Sequence, residues 1–354
     1  MGASRRVLRW LRFGYPLRFQ RGVILNQSQP PLRLQAPQYL ITSYQESVKQ
    51  QALSGLIQEL LVKKCITPMA PEERGHFSRV FLVPKSNGGY RLVIDLSELN
   101  KLLVEVTFQM DTLKRIKNVL QPGMWATSID LSDAYHHIPI HTASQKYLCF
   151  QVGNKRYRYL VVPFGLNSGP WVFTETVKQL KRWAIKQGLS LFQYLDDWLN
   201  VSLSRDRLCQ LTQLLLQMCR NLGLIVNTDK SELIPTQEII FLGERLDLLH
   251  AIAYTSPERE VKIRLGIERV LAQTSPTLTQ AESLLGLLTA TYPTVPLGRL
   301  HLRRFQWRVI KQIRRGRDHK KRVRVDAITR AHLGWWADPQ HLASGLPFRA
   351  PPQS

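Results

Sequence analysis

The chain has 354 residues, of which 44% are hydrophobic and 21% charged; this composition excludes disorder as the dominant state and predicts two or three lobes with buried cores. Its 49 Lys and Arg against 26 Asp and Glu give a net charge of +23, which favours a polyanionic partner over a small acidic ligand. The four cysteines form no Cys-x-x-Cys pair and no apolar run is long enough for a membrane span, so we expect a soluble protein with reduced thiols, in the cytoplasm or nucleus.

The positive charge is concentrated near the two ends of the chain. Residues 1–21 contain six Arg and no acid, and residues 301–330 contain 12 Lys plus Arg against Asp318 and Asp326. One such run is as often a solvated helix face as a binding surface, whereas two runs favour a polyanion partner. We therefore expect a folded body between a basic N-terminal extension, residues 1–42, and a basic C-terminal tail.

The first predicted elements are a helix and a hairpin. Residues 22–42 are rich in Pro and Gln and predict an extended lead-in. Ser43 and Glu46 form a capping box, and the apolar residues that follow at three- and four-residue spacing predict a helix. Residues 78–85 and 90–95 are short apolar strands joined by a Gly-containing turn, which predicts a β-hairpin.

The middle of the chain alternates strands with helices. Strands are predicted at 125–131, 146–152, 155–162, 190–203 and 238–247, with a bend at Asp196-Asp197 inside the fourth segment. Helices are predicted at 171–187 and 205–222, each ending at a glycine. This order predicts an α+β fold in which a mostly antiparallel sheet packs on helices.

Strand signals end near residue 250. Helices are predicted at 257–272, 279–291 and 298–314, the second beginning at a capping box of Thr279 and Glu282. A basic tail follows, in which Trp335 and Trp336 are interpreted as a packing anchor rather than a base-stacking platform.

Adjacent carboxylates between two apolar strands point to metal chemistry. Asp196 and Asp197 repel each other and are costly to desolvate, so a divalent cation is one means of compensation. If the strands that flank them lie beside the strand ending in Asp130, then Asp130 and Asp196 can bridge two Mg²⁺ ions. Taken alone, the pair is more often an exposed acidic turn.

Further sequence blocks favour the metal interpretation. Lys85 and Arg91 lie on the two arms of the predicted hairpin, where both cations can reach a triphosphate. The segment DLSDAYHHIPI places Tyr135 five residues after Asp130, and PFGLNSGP, YLDDWL, NTDKSEL and IIFLG follow in order. Each block alone is weak evidence, but their order along one chain is strong evidence.

Over residues 43–315 the chain resembles the reverse transcriptases of retroelements. The motifs that carry the resemblance are FLVPK, YRLVIDLSELN, DLSDAYHHIPI, PFGLNSGP and YLDDWL. It is most similar to DIRS-type (tyrosine-recombinase) retrotransposons, and more distantly to Ty3-like and hepadnaviral polymerases. The resemblance implies a right-hand polymerase fold with fingers 43–104, palm 105–247 with a fingers insertion at about 142–163, thumb 248–315, and a basic tail or connection 316–354.

The resemblance also implies roles for individual residues. Asp130, Asp196 and Asp197 are the palm carboxylates, and two ions, Mg²⁺ or Mn²⁺, are held by Asp130, Asp196 and the carbonyl of Leu131. The expected contacts of the incoming dNTP are Lys85, Arg91, Asp133, Ala134, Tyr135 and Phe164. Among these, Tyr135 would exclude a ribose 2′-hydroxyl, and Phe164 would offer an aromatic face where retroviral enzymes tend to carry a polar residue.

Residues in the later motifs are expected to handle the leaving group and the nucleic acid. Lys230 is the candidate general acid for pyrophosphate, and Phe241, Leu242 and Gly243 resemble a primer-grip hairpin. The cations expected to contact the nucleic-acid backbone are Arg303, Arg304, Arg314, Arg315, Lys320 and Lys321. The basic run 314–325 has an alternative interpretation as a nuclear-import signal.

The expected activity is RNA-directed DNA polymerisation, with an RNA template, a DNA primer/template duplex and dNTPs as partners. A non-catalytic relic or fragment that binds nucleic acid is the alternative. Beyond residue 300 the only acids are Asp318, Asp326 and Asp338, too few for a ribonuclease H carboxylate cluster, so no such domain is expected.

Overall fold

The computed structural model describes residues 4–22, 44–84, 88–314, 316, 318 and 321–348. Within these ranges, no helix has the length and apolar character needed to span a bilayer. The fold is α+β, as expected, and is built from three sheets, a separate hairpin and a helical C-terminal lobe. Fingers, palm and thumb denote the residue ranges expected for them from the sequence.

The fingers region combines one long helix with short strands. The elements that precede the palm sheet are α1 Arg5–Phe13, α2 Tyr44–Val62, β1 Ile66–Pro68, β2 Phe77–Ser78, β3 Val80–Pro84, β4 Tyr90–Ile94, α3 Ser97–Leu102 and α4 Leu113–Lys117. Strands β3 and β4 form the predicted antiparallel hairpin. Ser43, the expected cap of α2, and residues 85–87 of the hairpin turn lie outside the described residues.

The palm contains the predicted antiparallel sheet. Its elements, with the fingers insertion, are β5 Trp125–Leu131, α5 Thr142–Gln145, β6 Cys149–Val152, β7 Lys155–Tyr159, α6 Gly169–Lys186, β8 Ser190–Tyr194, β9 Asp197–Ser202, α7 Arg205–Asn221 and β10 Val226–Thr236. The central sheet has the order β10-β5-β9-β8, and every pair is antiparallel. Ile129 and Leu191 of the sheet share one buried core with Val177 of α6 and Leu208 of α7.

Two smaller sheets flank the palm. In the fingers, β1, β7, β6 and β2 form a sheet in which β2 runs parallel to β6 and the other pairs are antiparallel. At the far end of the palm, the strands of the second sheet follow the order β11 Glu238–Phe241, β12 Glu244–Asp247, β13 Ile252–Thr255 and β14 Leu346–Pro347.

The expectation that strands end near residue 250 was wrong. Strand β13 has only four residues, too few to establish an alternating pattern, and its outer partner β14 comes from the end of the described chain. The long strand β10 was also not predicted, because its charged side chains alternate with few apolar ones along an edge strand.

The C-terminal lobe is a helical bundle. Its helices are α8 Pro257–Leu271, α9 Leu278–Thr291, α10 Gly298–Arg314, α11 Ala327–Ala337 and α12 Pro339–Leu342. The predicted capping box of α9 was misplaced by two residues: Thr277 and Gln280 form it, rather than Thr279 and Glu282. Helix α9 therefore begins at Leu278, which is fully buried.

The expected basic tail is instead part of this bundle. Trp336 of α11 is fully buried among Ile267, Leu302 and Phe305, which confirms the packing role predicted for it. Trp335 stacks between two histidine rings, with centroid distances of 4.0 and 4.1 Å. Apolar residues near the chain end contribute to the thumb core, although the basic residues around them suggested a solvated segment.

The basic N-terminal extension is also packed against the body. Trp10 and Tyr15 are buried, and Trp10 contacts the ring of Trp171 with a centroid distance of 5.1 Å. The Tyr15 amide donates to the carbonyl of Pro139 at 2.7 Å, and the Leu17 amide donates to Ser144 Oγ at 3.1 Å. Residues 4–20 therefore form a strap across the fingers and palm.

Candidate active site

The two adjacent aspartates lie at the turn of the β8–β9 hairpin. Tyr194 and Asp197 are register partners, so Leu195 and Asp196 form a two-residue turn. Leu195 has φ +54°, a left-handed conformation that is uncommon for a branched side chain and that concentrates at functional sites. The Trp198 indole N–H donates to the Leu195 carbonyl at 2.9 Å and fixes this conformation.

The third carboxylate lies on the neighbouring strand. Asp130 of β5 is the register partner of Asp197 of β9, and the Leu131 amide donates to the Asp196 carbonyl at 3.0 Å. Burial raises the pKa of Asp130, the Lys230 charge opposes this shift, and the Asp196 charge adds to it. The structure therefore brings Asp130, Asp196, Asp197 and Lys230 together, as the sequence predicted.

Asp197 is the carboxylate most affected by its surroundings. Burial, together with the charges of Asp196 and Asp130, raises its pKa to about 6, while the Lys230 charge opposes the shift. Ionised Asp197 is therefore destabilised in the metal-free protein. Such a shift is typical of a site that gains its counter-charge from a ligand.

This shift predicts how the stability of the metal-free protein depends on pH. Asp197 titrates at about 6 when folded and near 3.9 when unfolded. Below the unfolded-state pKa, ionisation of Asp197 does not reduce the stability of the fold. Above the folded-state pKa, the loss of stability has reached its full size. We expect Asp197→Asn to gain, relative to wild type, on the order of 1 kcal/mol between pH 5 and pH 7.5, after allowance for solvent screening. Urea unfolding in EDTA measures this gain, and parallel pH profiles would contradict it.

A bulge in β10 positions Lys230 beside the carboxylates. Asn227 pairs with Asp130 and Glu232 pairs with Ser128, so the residues between Asn227 and Glu232 lie outside the regular ladder. Ser231 Oγ donates to the Asn227 carbonyl at 2.6 Å and accepts from the Asp130 amide at 3.0 Å. Sequence reasoning missed Ser231, because a serine in an acidic and basic segment gives no signal of its own.

The predicted nucleotide pocket is aromatic. The Tyr135 ring lies 5.0 Å from Phe164 and 6.0 Å from Phe173, measured between centroids. Burial raises the pKa of Tyr135 to about 12, and the Asp196 charge contributes to the shift. The Arg91 guanidinium lies over the Phe164 ring at 5.5 Å, which links the β3–β4 hairpin to the pocket.

Two further features define the walls of this pocket. Ala134 is buried, and Asp133 precedes it with φ +49° at the start of the 3₁₀ turn Ala134–His137. Gly165 has φ +103°, and a Cβ there would lie 2.9 Å from the Ile94 carbonyl oxygen, so only glycine fits. Lys85, the other predicted triphosphate contact, lies outside the described residues.

An ion pair that the sequence did not suggest connects the fingers to this turn. Lys63 Nζ lies 2.6 Å from Asp133 Oδ2 and 2.6 Å from Glu59 Oε1. Partial burial opposes the charge of Lys63, yet its two carboxylate partners hold the pKa of the ammonium above its usual value. Lys63 and Asp133 are 70 residues apart, and no local pattern relates them.

The predicted primer-grip segment is a tight hairpin turn held from the thumb. Leu242 and Gly243 have φ of +49° and +79°, as the two central residues of a type I′ turn require. The Arg259 guanidinium of α8 donates to the Leu242 carbonyl at 3.0 Å and occupies the space where a Gly243 side chain would lie. Phe241 is buried beneath the turn. Arg259 was not predicted.

The predicted nucleic-acid cations divide into two groups. Arg303 and Arg314 are exposed on α10, whereas Arg304 and Arg308 both pair with Asp326. Arg304, which was expected to contact a phosphate, is therefore paired with a carboxylate of the same lobe, because Asp326 caps α11 and attracts both guanidinium groups. Lys321 Nζ donates to the Gly316 carbonyl at 3.1 Å, and Arg315 and Lys320 lie outside the described residues.

The carboxylate set fits a hard divalent cation. The oxygens of Asp130 and Asp196, at one edge of the palm, and the main-chain carbonyl of Leu131 are of the kind that Mg²⁺ prefers, and these groups would hold the ion. In the described ranges, no three Asp, Glu, His or Cys side chains form a group that could hold a metal ion by themselves.

Comparisons with known proteins agree with this geometry. Residues 83–246 match the family described as reverse transcriptase (RNA-dependent DNA polymerase). The Gag-Pol polyprotein of walleye dermal sarcoma virus is 28% identical over 62% of this chain and 12% of its own length. Protein P of duck hepatitis B virus (strain China) is 27% identical over 48% of this chain and 22% of its own length. A retrovirus-related Pol polyprotein from the Drosophila melanogaster transposon opus is 26% identical over 62% of this chain and 21% of its own length.

Solved structures establish the fold. The foamy viral protease-reverse transcriptase in complex with dsDNA superposes with a TM-score of 0.71 and 20% identity, covering 95% of this chain and 64% of that one. The same viral protein in complex with RNA/DNA hybrid gives a TM-score of 0.69 and 21% identity, covering 91% and 39%. This chain spans less than a quarter of the length of the three polyproteins it matches. Over residues 83–246 it is similar to reverse transcriptase domains, and the polyproteins it resembles come from a retrovirus, a hepatitis B virus and a transposon.

Proposed function

We propose that this chain is an RNA-directed DNA polymerase that adds dNTPs to the 3′ end of a primer. The observation that carries the proposal is the meeting of Asp130, Asp196 and Asp197 at one edge of the palm sheet, next to the aromatic pocket of Tyr135 and Phe164. The raised pKa values of Asp130 and Asp197 mark this edge as a site that favours positive charge.

Divalent metal is the cofactor that this site would take. Asp130, Asp196 and the Leu131 carbonyl would hold two ions, Mg²⁺ or Mn²⁺. When bound, the ions activate an attacking oxygen and stabilise the leaving phosphate oxygen. Lys230, whose charge already acts on Asp130 and Asp197, would donate a proton to the pyrophosphate leaving group.

The pocket residues would bind and orient the nucleotide. Arg91 is exposed above the Phe164 face, where its guanidinium can bind a triphosphate, and Lys85 would be its partner from the opposite hairpin arm. The main chain of Asp133 and Ala134 would receive the β- and γ-phosphates. The Tyr135 ring would lie beneath the sugar and exclude a 2′-hydroxyl.

Nucleic acid is the proposed macromolecular partner. The solved relatives were obtained with dsDNA and with RNA/DNA hybrid, which supports an RNA template and a primer/template duplex as partners here. The turn of Leu242 and Gly243 would hold the primer end, and the exposed Arg303 and Arg314 would contact duplex phosphates.

The motifs quoted above support two finer assignments, which we add to the proposal. The first is membership of the DIRS-type retrotransposons, tested by whether the same transcript encodes a tyrosine recombinase. The second is a location in the cytoplasm or nucleus, with residues 314–325 as an import segment. The Lys321 carbonyl accepts the Leu278 amide at 2.7 Å, so part of that segment is bound to the thumb.

The Lys63 ion pair leads to a prediction about nucleotide affinity. Lys63 neutralises Asp133 beside the proposed phosphate site, so Lys63→Met leaves a carboxylate that repels the triphosphate. We expect the KM for dNTP to rise on the order of tenfold with kcat little changed, a loss of about 1.4 kcal/mol. Steady-state primer extension over a range of dNTP concentrations measures both constants.

A second substitution separates this electrostatic role from a structural one. If Lys63 acts by neutralising Asp133, then Asp133→Asn introduced into the Lys63→Met protein should return KM towards the wild-type value. Lys101→Met, which removes a similarly paired but exposed lysine, is the matched control. A double variant with no recovery would contradict the role assigned to Lys63.

The proposed activity is tested by primer extension on poly(rA) annealed to a DNA primer, with dTTP and Mg²⁺. A polymerase produces a ladder of extended products, whereas a non-catalytic relic binds the duplex and leaves the primer unchanged. A chain that binds this substrate at saturation and adds no nucleotide would reject the polymerase assignment in favour of the relic.

A further inference from the structure

The outward face of α1 has no role in the proposed catalytic site. We propose that this face binds the single-stranded template ahead of the nucleotide pocket, an inference that rests on the proposed polymerase function. The face consists of Arg5, Arg9 and Arg12, with Leu8, Leu11 and Phe13 beside them, and all six side chains are exposed.

Helix α1 is rigidly held, as a binding surface requires. Its inner face buries Val7 and Trp10, and the Trp10 ring contacts Tyr15 and Trp171 at centroid distances of 5.4 and 5.1 Å. The Arg6 guanidinium lies over the Trp10 and Trp171 rings and pairs with Glu175 Oε2 at 3.1 Å. Arg6 therefore anchors the helix, whereas Arg5, Arg9 and Arg12 form no ion pair with any residue in the described ranges.

The spacing of the three arginines fits a nucleic-acid strand. Positions 5, 9 and 12 follow one another at four and three residues, so the guanidinium groups project from a single helix face. They span about 10 Å along the helix axis at 1.5 Å per residue, and stacked nucleotides rise about 3.4 Å each along one strand. The row is therefore about as long as three nucleotide steps of one strand.

The surroundings of the arginines favour single-stranded nucleic acid over a membrane. A helix that lies on a bilayer directs its apolar face outward. Helix α1 instead buries Val7 and Trp10 in the protein, and arginines occupy the centre of its outward face, with the exposed apolar side chains at its edges. Phe13 is 56% exposed and the Arg12 guanidinium lies over its ring at 5.1 Å. A cationic row with an exposed aromatic ring is the arrangement that binds bases by stacking and phosphates by charge.

The position of α1 indicates which strand it would bind. Helix α1 packs on Trp171 and Glu175 of α6. The first residue of α6, Gly169, lies next to the nucleotide pocket, because a Cβ on it would be 4.0 Å from the Tyr135 ring. The template base that pairs with the incoming nucleotide must lie at this pocket. The duplex is assigned to the thumb side, so the strand that would reach α1 is the unpaired template.

The test compares two primer/template substrates, one blunt and one with a long single-stranded RNA 5′ extension. The proteins are wild type, a triple variant Arg5→Gln, Arg9→Gln, Arg12→Gln, and a charge-matched control Lys186→Gln, Arg207→Gln, Arg220→Gln from exposed positions on α6 and α7. All carry Asp196→Asn, so that binding is measured without turnover. Fluorescence anisotropy at several salt concentrations gives each Kd and its salt dependence.

We expect the triple variant to lose affinity for the extended substrate only. Its plot of log K against log salt should become shallower by about 2, since each phosphate contact on a single strand contributes about 0.7. Phe13→Ala should weaken binding to the extended substrate on the order of tenfold with an unchanged slope. The blunt duplex should bind all proteins equally.

Three results would overturn the inference. The first is that the triple variant loses equal affinity for the blunt and the extended substrates. The second is that it loses no more affinity than the charge-matched control. The third is that it loses binding to phosphatidylserine vesicles but keeps its affinity for RNA. The inference can fail independently of the proposed function. If the protein without Asp196→Asn extends no primer yet the extension-specific loss is seen, the polymerase assignment fails and the single-strand site remains.

Discussion

We expect Asp196→Asn and Asp130→Asn each to abolish primer extension, with a rate loss of several powers of ten, while binding to the primer/template stays near the wild-type level. The physical reason is that both carboxylates are proposed to hold the same pair of ions, so an amide at either position removes a charged ligand from both. Their main-chain positions are set by the β5–β9 ladder and by the Leu131–Asp196 hydrogen bond, neither of which involves the substituted side chain.

Single-turnover extension together with duplex-binding titration measures the two effects separately. Asp206→Asn is the matched control, because it makes the same change of charge at an exposed position in the first turn of α7. Wild-type rates in either palm variant would show that these carboxylates do not hold the reacting centre. A parallel loss of duplex binding would show that the substitutions damage the fold.

Tyr135→Val converts the pocket to one that accepts ribonucleotides. The Tyr135 ring is fixed by Phe164 and Phe173, so it cannot turn aside when a 2′-hydroxyl approaches. We expect the ratio of kcat/KM for dNTP to that for NTP to fall on the order of one hundredfold, about 2.7 kcal/mol of lost discrimination.

Competing steady-state assays with dTTP and UTP on the same template measure this ratio. Tyr135→Phe keeps the ring and removes only the hydroxyl, so its ratio should remain near the wild-type value. An unchanged ratio in Tyr135→Val would mean that another side chain excludes the ribose.

The sequence predicted those parts of the site whose structure is determined by the local pattern of a short segment. Asp130 lies near the end of β5, Asp196 in the β8–β9 turn and Asp197 at the start of β9. These strands have strong apolar periodicity, so the three carboxylates meet once the strands pair. The β3–β4 and β8–β9 hairpins were predicted for the same reason and are confirmed.

The parts that were not predicted depend on contacts between distant segments. Lys63 meets Asp133 across 70 residues, and Arg259 reaches the Leu242 carbonyl from a different lobe. Ser231 acts only because a bulge in β10 directs it to the Asp130 amide. A single charged or hydroxylated residue has no periodicity, so only the assembled fold identifies its partner.

The two basic ends show the same limitation. Their charge indicated solvated segments, yet Trp10 and Trp336 bury them against the body. In each case a few large apolar side chains determine where the segment lies, and the charges determine only which face is exposed. Net charge therefore predicted a polyanion partner without predicting that both ends are folded.

The central claim is that the carboxylate edge and the aromatic pocket together perform template-directed addition of deoxynucleotides. The most direct measurement is incorporation of one nucleotide opposite a defined RNA base by purified wild-type and Asp196→Asn proteins in Mg²⁺. The account predicts that wild type adds the complementary dNTP in preference to the other three and that Asp196→Asn adds none. Incorporation by both proteins, or incorporation by wild type that ignores the template base, would contradict it.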